Sequence, residues 1–384
     1  MIIKNAYVFT TEQGFVKKDT VIENGYFSDR GRLPGERETV IDAQENYLIP
    51  GLVDVHFHGC GGYDFSDGTP EAMEAIGDYE LRSGITAICP AAMTLSEEML
   101  RGICENAYAY SSGNQAGAGG RQKARLCGIH LEGPFISAEK KGAQNPAYIA
   151  SPDIGMFRRL QEAARGLVRL ITIAPEMAGA MDFISELHEQ VHISLGHTMS
   201  DYDVAFEAFG LGADHVTHCF NAMPGFSHRA PGVIGAAADA SHVMPELICD
   251  GVHVHPSAVR AAFKLFGGER MILISDSMRA TGMADGAYTL GGLDVDVKGN
   301  RATLADGTLA GSVTNLMDCM RTAVSMGIPL ETAVRCATYN PAKSIGVEAL
   351  HGRIADGAYG DCVLLSRADL SVQEVIFGGE IVKK

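Results

Sequence analysis

Eight short apolar runs punctuate the middle of this chain, and amphipathic stretches separate most of them. The runs are GLVDVHFHG (51–59), ITAICPA (85–91), RLCGIHLEG (125–133), VRLITIAPE (168–176), VHISLGHT (191–198), HVTHCFN (215–221), PELICDGVH (245–253) and RMILISDS (270–277). Each has the length and apolar character of a strand. The intervening segments PEAMEAIGDYELRSG, SEEMLRGICENAYAY, PDIGMFRRLQEAAR, AGAMDFISELHEQ, SDYDVAFEAFG and HPSAVRAAFKLFG read as helices. Several open on proline, serine or aspartate, the residues that start helices. Strand–helix alternation sustained eight times predicts an α/β protein, a (β/α)8 TIM-type barrel rather than an open sheet. SVTNLMDCMRTAVSMG reads as the last helix, after a β-like insertion around AYTLGGLDVDVKGNRATLADG, and SSGNQAGAGG (111–120) reads as a connector.

The termini have a different rhythm. MIIKNAYVFT, DTVIENGYFSD and TVIDAQENYLIP alternate like short strands, and Asn24-Gly25 is a hairpin signal. After the glycine-spaced HGRIADGAYGD come three more strand-like pieces, DCVLLSRADL, SVQEVIFGGE and IVKK. These predict a small β-sandwich domain built from both ends, 1–50 plus 350–384, around a barrel at 51–349.

A formal net charge of −16 argues against a nucleic-acid or anionic-membrane partner, both of which need a basic surface. No apolar run approaches the roughly 20 residues that span a bilayer. The N-terminus enters strand alternation without a signal-peptide pattern. The nine cysteines include no Cys-x-x-Cys pair, and five (Cys89, Cys127, Cys219, Cys249, Cys362) fall in strand-like runs. Such thiols act as small hydrophobes in a reducing compartment, so a cytoplasmic protein is expected. Cys60 stands apart because it directly follows a histidine pair.

Six residues lie at or just past the ends of these runs: His56, His58, Glu132, His197, His218 and Asp276. Counting strands puts the histidine pair on the first, Glu132 on the third, His197 on the fifth, His218 on the sixth and Asp276 on the eighth. In a (β/α)8 barrel the C-terminal strand ends converge on one mouth. His56-x-His58 also aims both imidazoles to one side, because strand side chains repeat every two residues. Imidazole and carboxylate are the ligands of zinc, iron or manganese, and Glu132 can bridge two cations. The set therefore fits one or two divalent ions per subunit and hydrolytic chemistry.

GLVDVHFHG, HLEGPF, SLGHT, THCFNAMPG and ISDSMRATG resemble the metal-dependent amidohydrolase superfamily, and within it the N-acetylglucosamine-6-phosphate deacetylases, essentially end to end. Most binuclear amidohydrolases bridge their metals with a carboxylated lysine on the fourth strand. Here that strand ends in IAPE, and the resemblance gives Glu132 the bridging place. It further implies Glu132, His197 and His218 as core metal ligands, His56 and His58 as a second site, and Asp276 as catalytic acid/base. Asn221, Ala222, Arg229, His253, Leu309, Ala310, Gly311, Ala143 and Gln144 match substrate-contacting positions, with Arg229 and His253 as cationic contacts for a sugar phosphate. Gln144 replaces the histidine of many relatives in KKGxHNP and cannot be cationic, which puts one phosphate or hydroxyl contact in question; Lys140 and Lys141 lie close by. The resemblance also implies a homodimer in which Arg229 reaches the neighbour's site.

The implied reaction is deacetylation of N-acetylglucosamine 6-phosphate. The same chemistry on N-acetylgalactosamine 6-phosphate is the nearest alternative. A cyclic or amino-acid amidase is disfavoured by the missing lysine and by HxxNAM and LAGS. A non-catalytic scaffold on the same barrel is disfavoured by the six intact site residues.

Overall fold

The structure, a computed structural model, describes residues 1–29, 39–113 and 122–383. The eight barrel strands are Leu52–Asp54, Ile85–Ile88, Ile129–Glu132, Val168–Ile173, His192–Leu195, His215–Val216, Met244–Ile248 and Ile272–Ile274. Neighbouring strands pair in parallel from the first to the eighth, the second and third through the short extensions Arg125–Leu126, on Ile85–Ile88, and Ala91–Ala92, on Ile129–Glu132. The eighth closes onto the first just beyond the strand ends: the Asp276 N–H donates to the His56 carbonyl at 3.0 Å, and the His58 N–H to the Ser277 carbonyl at 2.7 Å. The barrel is thus sealed through the backbone of residues expected in the site.

The predicted helices form. Pro70–Arg82 begins at a Thr69 cap with proline in its first turn, and Ile154–Ala163, Tyr202–Gly210 and Leu316–Ser325 begin at Asp153, Asp201 and Asn315 caps. Residues 111–113, read as connector, finish the helix Glu97–Gly113, and the rest of that connector lies outside the described residues. Gly232–Asp239 supplies a helix between the sixth and seventh strands that the sequence reading lacked. Its GVIGAAAD is apolar nearly all round, so no 3.6-residue stripe marks it. Leu316–Ser325 is not the last helix either: Leu330–Ala337 and Tyr339–Ser344 follow. The second of these carries Pro341 in its first turn, which reads as a helix breaker. The insertion is a three-stranded antiparallel sheet of Gly286–Leu290, Leu293–Lys298 and Arg301–Thr303.

Strands from both termini share one eight-stranded sheet, in which Cys362–Leu365 pairs with Tyr47–Pro50 and Ile2–Thr10 with Gly14–Glu23. Asn24 and Gly25, at φ 52° and 84°, turn the hairpin between Glu23 and Tyr26. Ile3, Val8, Ile22, Phe27, Leu48, Leu364 and Ile376 pack together in this sheet's own core, while Phe9, Ile49, Val363 and Leu365 join the main core. All nine cysteines are free and buried, and burial pushes the Cys60 thiol well above its usual range, which makes it a poor thiolate ligand.

At the amino ends of the fifth and sixth strands, away from the expected site, Asp214 accepts hydrogen bonds from His192 Nδ1 at 2.6 Å and His215 Nδ1 at 2.7 Å. Burial alone would raise the Asp214 pKa, but His215 and His192 outweigh it and hold the carboxyl well below the usual range. Burial would lower His215, and Asp214 reverses that and raises it. A depressed carboxylate stabilises above its unfolded pKa of about 3.9, and a raised histidine stabilises below about 6.5. The triad therefore contributes most between those limits, fading as acid titrates Asp214 or as rising pH passes the raised pKa of His215. Asp214→Asn is expected to cost about 1–3 kcal/mol near pH 5. Denaturant titrations should show the gap from wild type narrowing above the His215 pKa; a pH-independent gap would contradict this.

Candidate active site

All six strand-end residues converge at one mouth. Glu132 ends the third strand, while His197, His218 and Asp276 each lie two residues beyond the end of theirs. Those last three carry positive φ angles of 46°, 27° and 48°, a conformation that non-glycine residues seldom adopt. Such backbone typically costs on the order of 1–3 kcal/mol per residue and persists only where the surroundings enforce it. Here all three side chains line one cleft.

The side chains meet around Glu132, which is 2 % exposed. Its Oε1 is 3.0 Å from His197 Nε2, 3.1 Å from His218 Nε2 and 3.3 Å from His56 Nε2. Its Oε2 is 3.3 Å from His58 Nε2, which is also 3.3 Å from Asp276 Oδ1. Burial would raise the Glu132 pKa, but His56 and His197 outweigh it and hold the carboxyl well below its usual range. Burial would raise the Asp276 pKa, and in the metal-free centre the neighbouring His58 more than reverses it.

Three imidazoles are oriented from behind. His197 Nδ1 bonds to the Lys140 carbonyl at 2.8 Å, His58 Nδ1 to the Ala91 carbonyl at 3.1 Å and His56 Nδ1 to Glu246 at 2.8 Å. With Nδ1–H donating outward, each Nε2 lone pair faces the centre, the arrangement metal-ligating histidines use. Protons alone satisfy this cluster poorly. Three ring nitrogens crowd one carboxylate oxygen, His197 and His218 Nε2 are only 3.0 Å apart, and buried His56 Nε2 makes no hydrogen bond among the described residues. Glu132, His197 and His218 form one group whose ligand atoms can share an ion, and His56, His58 and Asp276 form another. The donor set fits divalent cations.

Below the cluster, His130 Nε2 bonds to Thr172 Oγ1 at 2.8 Å, and Thr172 to Thr217 at 2.8 Å. Glu246, fully buried on the seventh strand, holds His56 and also accepts the His218 N–H at 3.2 Å. The sequence reading missed it by absorbing PELICD into an apolar run; a lone carboxylate at such a position was the available signal. Asp250 was missed too: its Oδ2 holds His253 Nδ1 at 2.7 Å, leaving the other ring nitrogen free of that contact.

The ligand atoms open into a cleft of about 480 Å³. His58, Glu132, His197, His218, Asp276, Ala143, Gln144, Asn221, Ala222, His253, Leu309 and Gly311 all line it, as do Lys140 and Lys141. Ala310, matched as part of a backbone stretch, is wholly buried between Leu309 and Gly311, which line the cleft. Arg229 is exposed beside Met199, Tyr202 and Pro231 at a separate cavity. Within one chain it is therefore not part of the cluster. Gln144 is buried with its carboxamide against Glu132 and the Thr94 backbone, not held out for a ligand.

Residues 47–382 match the amidohydrolase family. The chain belongs to that family. It is 35% identical over 379 residues to the N-acetylglucosamine-6-phosphate deacetylase of Bacillus subtilis (strain 168), covering 95% of this chain and 94% of that one. It is 32% identical over 345 residues to the N-acetylgalactosamine-6-phosphate deacetylase of Escherichia coli O157:H7, with 89% of each covered. Among solved structures, a mutant N-acetyl-D-glucosamine-6-phosphate deacetylase from Mycobacterium smegmatis, in complex with N-acetyl-D-glucosamine-6-phosphate, superposes with a TM-score of 0.90 at 34% identity, covering 100% of this chain and 99% of that one. Amidohydrolases are metal-dependent, and the donor set fits that chemistry.

Proposed function

We propose that this amidohydrolase hydrolyses the acetamide of N-acetyl-D-glucosamine 6-phosphate to D-glucosamine 6-phosphate and acetate. The observation that carries the reading is the Asp276 carboxylate opening on the same cleft as the Glu132–His197–His218 group. Glu132, His197 and His218 would hold one divalent cation, zinc, iron or manganese, and His56 and His58 with Asp276 could hold a second. Such a cation supplies Lewis acidity, lowering the pKa of water from 15.7 to about 7 and drawing charge from an amide oxygen.

The chain supplies the proton transfers. Asp276 accepts a proton from the attacking water and returns it to the departing amine nitrogen, without which the C–N bond breaks poorly. Asp276 Oδ1 lies 3.3 Å from His58 Nε2, so a cation held there would keep the carboxylate ready to accept. His253, Asn221, Ala222, Ala143 and the 309–311 segment hold the sugar. The reaction belongs in the cytoplasm, which the free buried cysteines suit. Among the described residues no helix is long and apolar enough to cross a membrane.

The identity to an N-acetylgalactosamine-6-phosphate deacetylase favours one rival, the epimeric sugar phosphate. Comparison of kcat/KM decides between them: N-acetylglucosamine 6-phosphate should exceed both the galactose epimer and unphosphorylated N-acetylglucosamine. A preference for the epimer would overturn the substrate assignment.

Arg229 completes the phosphate site from a second subunit of a homodimer, which its position outside its own cleft supports. Arg229→Ala should raise KM for the phosphorylated sugar about 10- to 100-fold, the worth of a charge-assisted bidentate contact. Mixing this variant with Asp276→Asn should regain activity, because one mixed site pairs an intact Asp276 with the other subunit's Arg229. No recovery would place Arg229 outside the site.

A further inference from the structure

We propose that Gln144 positions the metal centre and does not read the sugar phosphate: its carboxamide fixes Glu132 across both halves of the centre and so governs uptake of a second divalent cation by the His56/His58 half. The inference rests on the metal-dependent reading above. Gln144 is 2 % exposed, and its Oε1 accepts the Thr94 N–H at 2.7 Å. That bond settles which way the amide faces, because a backbone N–H needs an acceptor. The Nε2 end must then donate to Glu132 Oε2, as it does. Thr94 Oγ1 also donates to the Glu132 backbone carbonyl at 3.1 Å, so Thr94 and Gln144 together grip both ends of this residue.

The two carboxylate oxygens have different tasks. Oε1 meets His197, His218 and His56, whereas Oε2 meets His58 and Gln144. Turning Oε2 away would strip the His58 half of its shared oxygen and leave Oε1 with its imidazoles. An amide does not titrate, so the restraint holds at any working pH. The same loop carries the Lys140 carbonyl that orients His197, and the Gln144 N–H donates to the Lys141 carbonyl at 2.9 Å. One loop thus sets two ligands from two strands.

The test is zinc titration of the metal-free full chain against a competing chelator, read as stoichiometry and affinity. Gln144→Leu removes both hydrogen bonds, and Gln144→Glu keeps the Thr94 acceptor but sets a carboxylate against Glu132. Gln144→His retains a donor. The first zinc should bind all variants much as wild type. The second should bind about 10- to 100-fold more weakly in the Leu and Glu variants, the usual cost of losing a group that orients a ligand, and recover in the His variant. KM for N-acetylglucosamine 6-phosphate should stay within about twofold of wild type in all three, below the worth of even one neutral hydrogen bond. Thermal melts of each variant check the fold, and the Glu variant serves if the Leu variant does not fold. Unchanged second-site affinity with a raised KM would overturn the proposal and make Gln144 a substrate contact. A wild type that takes up only one zinc at any concentration would also overturn it, while leaving the deacetylase reading to stand on acetate release. A wild type with no acetate release but a second zinc that depends on Gln144 would sustain the proposal and sink the deacetylase.

Discussion

Asp276→Asn is expected to lower kcat by about 100- to 10,000-fold, the range that a positioned acid/base contributes, with KM nearly unchanged. Asparagine has the same shape and can remain beside His58, but it neither accepts a proton from water nor returns one to an amine. Asp276 shares only the His56/His58 half of the centre, so the Glu132–His197–His218 half should keep its cation. Steady-state kinetics with a metal assay of the same sample separates the two roles. A variant that keeps its metal and loses kcat supports proton transfer by Asp276. A variant that loses all its metal, or that keeps wild-type kcat, contradicts it.

Glu132→Gln is expected to be more damaging, because one carboxylate faces four imidazole nitrogens and belongs to both halves of the centre. The amide keeps the volume but loses the charge and offers hydrogen-bond donors where ligands converge. Zinc should no longer bind tightly, and activity should fall by at least the factor expected for Asp276→Asn. Stability gives a second readout. A ligand at 100 times its Kd stabilises the native state by about 2.7 kcal/mol, so zinc should raise the melting temperature of wild type. That increment should vanish in the variant while the zinc-free melts of both remain cooperative. An undiminished zinc response would remove Glu132 from the centre.

The barrel and its mouth were legible because both follow from periodicity. Parallel strands buried on both faces read as apolar runs, and their ends share one rim, so His56, His58, Glu132, His197, His218 and Asp276 could be gathered from spacing alone. What stayed hidden depends on direction or on apolarity without a pattern. Gln144 matched a ligand-contacting position, yet which way its side chain turns is set by the Thr94 backbone, 50 residues earlier. Glu246 vanished into PELICD because a single charge does not break an apolar run. The helix Gly232–Asp239 lacks a polar face, and Pro341 broke the pattern of Tyr339–Ser344. Arg229 was matched to the site by resemblance, but its place outside its own cleft is a property of the fold and not of spacing.

Metal-dependent hydrolysis of one acetamide on a sugar phosphate is tested by measuring acetate and free amine together from N-acetylglucosamine 6-phosphate, with zinc-loaded wild type and the same protein stripped by chelator. The loaded protein should yield equal amounts of acetate and glucosamine 6-phosphate, stripping should abolish both, and restored zinc should return both. Acetate release that survives complete metal removal, or none from the loaded protein, would contradict this assignment.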